Sequence, residues 1–402
     1  MESYRPGKPE NQFKHHNHMY LSLHPVYPVL FLSLLMPAGC KKDQGPELQF
    51  NNFEEELAYH VEQYVRMGAA IGIIDKQQEE HEYYFGTLSR SNSNPPDRHS
   101  IFEVGSITKT FTATLLARMI LDGKINLEDE AEPYLTDGQV SMPVWGGTTI
   151  TIKHLATHSS GLPRRPQDSQ QPLPYGYDPD DPYATYDAQY VYDYLTSYCH
   201  LRFEPGTQYF YSNTGMGLVG HIVGLADSSS YEALVTREIF DPLGMDETSL
   251  YIGQLISNLA PGHDESLDSA KNYTAKDIFQ GAGFIKSSLD DMLIYLKAQM
   301  GLIGTPLDDA MKLTQQPYFD VGGVTYNDRE GYYHLSIGLT WHIDVLPEGY
   351  TFHWHGGRTN GYMAYMAFDL SAMTGVVILC NQSTPDVIIR FGEDVLKALN
   401  IY

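Results

Sequence analysis

Ser106 and Lys109 stand three residues apart in the stretch IFEVGSITKTFTATLLARMILDGKINL, where apolar residues begin to recur at helical spacing. Residues three apart on a helix are neighbours, so the Lys109 amine can reach the Ser106 oxygen. A helix start offers unpaired N–H groups and a partial positive charge. That field, together with burial, disfavours an ammonium ion and lowers the lysine pKa. The chemistry this allows is nucleophilic: a neutral amine takes the serine proton, and backbone N–H groups stabilise the oxyanion formed on attack. By ordinary residue usage a chain this long holds about one such pair by chance. The pair therefore needs company elsewhere in the chain.

Two further motifs provide it. GTQYFYSNTGMGLVGHIV contains Tyr211, Ser212 and Asn213, the only Tyr-x-Asn of the chain. FHWHGGRTNGY contains His355, Gly356 and Gly357, the only His/Lys-x-Gly triplet, at a strand end. With these the sequence resembles the serine β-lactamase and penicillin-binding superfamily, in its class C branch, which also holds DD-peptidases, D-aminopeptidases and esterases. The motifs Ser-x-x-Lys, Tyr-x-Asn and Lys/His-x-Gly occur in that order at comparable separations. The resemblance runs from about Glu56 to the C-terminus and includes TITIKHLATHSSGLP, YEALVTREIFDPLGMDET and GAGFIKSSLDDMLIYLKAQM.

The resemblance implies a role for each residue. Ser106 is the acylated nucleophile, Lys109 its proton acceptor, and Tyr211 shares proton transfer with the leaving group. Asn213 orients Lys109 or the substrate amide, and His355 lines the opposite wall. The oxyanion hole is the backbone N–H of Ser106 and of Arg358. Gly356 and Gly357 suit a strand edge on which substrate lies close to the backbone. β-Lactamases of this class usually carry lysine where His355 stands, and the histidine form resembles the DD-peptidase and esterase members. Histidine is mostly neutral at pH 7. Arg358 either supplies the missing positive charge or is a solvated rim residue. The expected activity is hydrolysis of amide or ester bonds through an acyl-enzyme, on D-amino-acid peptides, small esters or β-lactams, with efficient β-lactam turnover the least favoured. The rival reading is a non-catalytic penicillin-binding or scaffold protein of the same fold, but such proteins typically lose a catalytic position and here all are present. No cofactor is implied.

The elements that must position these residues can be read from periodicity. FEEELAYHVEQYVRMG has helical spacing at Leu57, Val61, Tyr64 and Val65, and AAIGIIDKQQ with HEYYFGTLSR reads as an antiparallel hairpin. Near the C-terminus HLSIGLTWHID, YTFHWHGG, GYMAYMAFD and TGVVILCNQ read as four strands. A helix follows with Val387, Ile388, Phe391, Val395, Leu396 and Leu399 on one face. On the nucleophile's own helix Phe111, Leu115, Met119 and Ile120 mark the buried stripe. The pattern predicts an α+β fold: an antiparallel sheet built from both termini and flanked by helices, with an inserted, mainly helical lobe. The sheet lobe is expected at about 50–100 and 330–402, the helical lobe at about 101–329, and the site in the cleft between them.

Acidic residues outnumber basic ones 50 to 26, for a net charge of −24, which disfavours nucleic acid and anionic lipid as partners. Residues 1–40 read as a signal peptide, since the apolar stretch Val29–Met36 is too short to span a bilayer. AGC at Cys40 resembles a bacterial lipobox, with Pro37 where leucine is usual, and implies a lipid-anchored protein of the bacterial envelope; an ordinary cleaved signal is the alternative. Membrane contact is then expected through that anchor only. Residues 41–402 form the hydrolase domain. Cys199 and Cys380 read as small buried residues. His154 with His158, on an expected helix, and His353 with His355, on a strand, have metal-ligand spacing, but no His-Glu-x-x-His occurs and no metal is expected. His154 and His158 are expected to pack beneath the site.

Overall fold

The computed structural model describes residues 49–402, apart from 168–169, 326–332 and 385–386. The signal segment and Cys40 therefore lie outside the described residues. Eight strands form one sheet: β1 (Ala69–Ile74), β2 (Glu80–Phe85), β3 (Phe319–Val324), β4 (Tyr333–Ile337), β5 (His342–Val345), β6 (Thr351–Arg358), β7 (Met363–Asp369) and β8 (Thr374–Cys380). Their order is β2-β1-β8-β7-β6-β5-β4-β3, and every pairing is antiparallel. The N-terminal hairpin thus joins the C-terminal meander through β1 and β8, as the α+β expectation requires.

Both faces of the sheet are covered. On one side lie α1 (Phe53–Tyr64) and the C-terminal helix α5 (Ile388–Ile401), which bury Leu57, Val61, Phe391, Val395 and Leu396 against Ile71, Ile73 and Ile378. On the other side the helical lobe buries a second core that includes Ala70, Ile74, Val377 and Leu379. Neighbouring side chains of β1 and β8 therefore enter different cores, as the two-residue period of a strand dictates. All six residues of β1 are buried, which explains why AAIGII shows no alternation of polarity. Gly392 allows α5 to lie against the sheet, since a Cβ there would come within 2.3 Å of Tyr365 ring atoms. Cys199 lies in the helical-lobe core and Cys380 in the other, so no disulfide joins them.

Two parts of the sequence reading need correction. HLSIGLTWHID is two strands, not one: Thr340 adopts a left-handed backbone (φ 67°), and the chain reverses between β4 and β5. Trp341 drives this turn inward, fully buried and donating its indole N–H to Thr314 Oγ1 at 3.2 Å. The edge strand β3 precedes 330, so the sheet lobe begins earlier than the pattern predicts; FDVGGV carries two glycines and an aspartate, poor strand formers that leave no strand period.

The helical lobe is centred on α2 (Thr108–Leu121). This helix is buried nearly all round rather than on a single stripe: Thr108, Lys109, Thr110, Thr112 and Thr114 are buried along with Phe111 and Leu115. Its threonines are tolerated because their hydroxyls are satisfied. Thr110 donates to Ile107 O (2.8 Å), Thr112 to Gly281 O (2.7 Å) and Thr114 to Thr110 O (3.0 Å). Around it pack α3 (Asn213–Asp227) and α4 (Leu289–Gln299).

Candidate active site

The nucleophile's turn is a short 3-10 segment, Gly105–Ile107, that leads directly into α2. Gly105 takes a left-handed conformation (φ 52°) with its Cα beside β6; an added Cβ would stand 2.7 Å from Arg358 N. A Cβ on Gly357 would meet Val104 O at 2.0 Å and Ser106 N at 3.2 Å. The two glycines therefore let the end of β6 lie directly on the serine turn, which brings the Ser106 and Arg358 backbone nitrogens to one place. Gly356, the next residue along the strand, faces α5 instead.

Lys109 is fully buried, and its Nζ lies 3.0 Å from Ser106 Oγ and also contacts Ala282 O. Burial, reinforced by the positive charge of Arg164, holds its pKa well below that of an ordinary lysine. A neutral amine fits these partners: one N–H is donated to the Ala282 carbonyl, and the nitrogen keeps a lone pair that can accept the serine proton. Ser106 itself is only partly buried, so its hydroxyl is reachable while the Lys109 amine is not.

Tyr211 and Asn213 bracket Ser212, the N-cap of α3, whose hydroxyl accepts from Gly215 N at 2.9 Å. The Tyr211 ring lies 4.9 Å from Lys109 Nζ. Burial pushes the phenol pKa up, against the opposing pull of Arg164 and Ser106. Tyr211 thus holds its proton in the resting site. Asn213 donates from Nδ2 to Tyr183 OH at 2.7 Å, a partner the sequence did not reveal.

His355 is buried on β6, with Nδ1 2.9 Å from Gly356 O and Nε2 without a partner. Burial, then the nearby His342 and Lys109, hold its pKa well below the usual histidine range, so it brings no cation to the site. Arg358 is exposed, and its guanidinium points away: Nε donates to Ser383 Oγ at 3.0 Å and the terminal nitrogen to Glu265 Oε1 at 2.7 Å. Of the two readings left open for Arg358, this geometry fits the rim residue.

The first histidine pair does not share a helical face. His154 sits within a short helix, Ile152–Ala156, where it closes a capping box with Thr151. His158 lies beyond that helix with a left-handed backbone (φ 57°). His158 lies under the site: its Nδ1 accepts from Ser212 N at 3.2 Å, and its ring is 4.4 Å from that of Tyr211. His353 shares its face of β6 with His355 and stacks on Phe368 at 5.2 Å. His342 was also missed; its ring lies 5.4 Å from His355, and its Nε2 is 2.9 Å from Tyr209 OH.

The α+β scaffold thus sets the buried Lys109 amine on the partly exposed Ser106 hydroxyl, beside the end of β6. The chain belongs to the beta-lactamase family, whose sequence model matches residues 51–398. It is 26% identical over 367 residues to a beta-lactamase of Pseudomonas fluorescens, covering 83% of this chain and 94% of that protein. A D-alanyl-D-alanine-carboxypeptidase/endopeptidase, AmpH, of Escherichia coli K12 is 31% identical over 182 residues, 45% of each chain. The fold is that of a class C beta-lactamase of known structure, with a TM-score of 0.68 at 21% identity over 86% of this chain and 96% of the other.

Proposed function

We propose that this protein is a serine hydrolase that works through an acyl-enzyme on Ser106. The observation that carries the reading is the buried Lys109 amine, 3.0 Å from a partly exposed Ser106 hydroxyl. Lys109 removes the serine proton as Oγ attacks the carbonyl carbon. The N–H groups of Ser106 and Arg358 receive the oxyanion. The proton then passes from Lys109 to the leaving group by way of the Tyr211 phenol, whose ring lies 4.9 Å from Lys109 Nζ. Water attacks the acyl-enzyme in the second half, and the same groups return the proton to Ser106.

The substrate is a D-amino-acid peptide, a small ester or a β-lactam. The neutral, buried His355 supports the first two over efficient β-lactam turnover, because its position on β6 carries no fixed cation and the Arg358 guanidinium is held by Glu265. The alternative of a non-catalytic scaffold gains nothing from a site with serine, lysine, tyrosine and asparagine all in place. We further propose that the protein is exported to the bacterial envelope and anchored through Cys40. Incorporation of labelled fatty acid that persists in Cys40→Ala would exclude the anchor. The test of the activity is labelling with a fluorophosphonate and with a fluorescent penicillin. Both should mark the protein, and Ser106→Ala should take neither label while it melts as the wild type does. Labelling that survives in Ser106→Ala would overturn the mechanism.

A further inference from the structure

With Lys109 and His355 neutral and the Arg358 guanidinium held by Glu265, the site's positive charge must come from elsewhere. Arg164 is placed for it. It follows the Gly161–Leu162–Pro163 loop, and its backbone is fixed where the Tyr-x-Asn helix starts: its carbonyl accepts from Thr214 N at 3.2 Å. Its exposed side chain lays the guanidinium over the Tyr211 ring, 5.3 Å from the centroid, within cation–π range. Despite the net charge of −24, no carboxylate among the described residues lies in ion-pair range of this guanidinium. Its charge is felt inside the site, where it disfavours the ammonium form of Lys109 and favours the phenolate form of Tyr211.

We infer that Arg164 is the specificity-determining cation of this site: it receives a carboxylate carried on the leaving-group side of the substrate, in place of a cation on β6. A guanidinium in cation–π contact with a ring keeps its N–H donors available, and its planar edge matches a carboxylate with two parallel N–H donors. Its position over Tyr211 sets the carboxylate beside the group that protonates the leaving atom. The inference rests on the acyl-enzyme reading above, and it narrows the substrates to molecules with a free acid near the scissile bond.

The test compares benzoylglycyl-D-lactate, which carries the acid, with the neutral benzoylglycyl-D-lactamide. The readout is the concentration of each that halves the rate of fluorophosphonate labelling, so it does not depend on turnover. Labelling of the wild type checks the acyl-enzyme reading first; a protein that takes no label fails that reading and not merely this one. The wild type should be protected by the lactate at about tenfold lower concentration than by the lactamide, the size of one hydrogen bond to a charged group. Arg164→Gln should abolish this preference and Arg164→Lys should restore part of it. The preference should also weaken as salt is raised, as expected for an exposed charge. Equal loss of both affinities in Arg164→Gln, or a preference that persists there, overturns the inference. So does loss of the preference in Arg358→Gln, or failure of both compounds to protect.

Discussion

The Lys109 amine and the Ser106 hydroxyl stand 3.0 Å apart, the first fully buried and the second only partly so. That asymmetry is what lets an amine act as a base near neutral pH. Water would hold Lys109 protonated, and burial removes it. The contact with Ala282 O takes one N–H of the amine and holds the nitrogen beside Ser106.

Replacing Lys109 separates a proton acceptor from a structural cation. Lys109→Met, similar in length and neutral, should fold and label ~10²–10⁴-fold more slowly, the range for loss of a general base. Lys109→Arg should be no better, because a guanidinium stays protonated. For the wild type the labelling rate should fall as pH drops through the depressed lysine pKa, since only the neutral amine accepts the serine proton. A rate independent of pH on the acid side, or brisk labelling by Lys109→Arg, would remove Lys109 from the mechanism.

Gly357→Ala should damage the site from the strand side. Its Cβ would stand 2.0 Å from Val104 O and 3.2 Å from Ser106 N, so β6 and the serine turn must part. The Arg358 N–H then leaves the oxyanion position, for an expected loss of ~10²–10³ in acylation rate. Gly356→Ala, directed at Ile389 on α5 at 3.3 Å, is the control and should alter acylation much less. Equal rates for the two variants would refute the placement of the oxyanion hole.

Tyr183→Phe should slow acylation about tenfold, the effect of leaving one buried amide donor unpaired. The Asn213 amide donates to the Tyr183 hydroxyl at 2.7 Å and would lose that anchor. The ring, packed against Phe279 and Phe284, would remain. A melting temperature lowered with no change in labelling rate would mean that the hydroxyl serves the core alone.

His353 makes a prediction about stability and pH. Burial lowers its pKa to about 4, from an ordinary value of 6.5. Between these values the unfolded chain binds a proton that the folded one does not, so stability rises with pH from about 4 to 6.5 and is lost on acidification. The full effect is up to about 3 kcal/mol for this one group. His353→Phe, which preserves stacking on Phe368, should flatten the fall of the melting temperature in this window. An unchanged slope would assign acid sensitivity to other groups, with the buried His158 and His355 next in line.

The sequence by itself determined what is local. The chemistry of Ser-x-x-Lys, the Tyr-x-Asn and His-Gly-Gly motifs, the N-terminal hairpin and the face of α5 all depend on spacings of a few residues. Periods of two and of three to four survive in a linear string. The eight-stranded sheet was legible except for β3, whose glycines hide its period, and for the turn at Thr340, which follows from where Trp341 is buried. Tertiary structure alone decided the charges. Whether Lys109 is neutral, whether His355 is a cation, and whether Arg358 or Arg164 faces the cleft depend on burial and on partners far away in the chain. Glu265 takes the Arg358 guanidinium, while Arg164 lies on Tyr211. Tyr183 reached Asn213 only because the chain folded, and no spacing in the sequence records that contact. A titratable group takes its protonation state from the dielectric and the charges around it, and those exist only once distant segments have packed together.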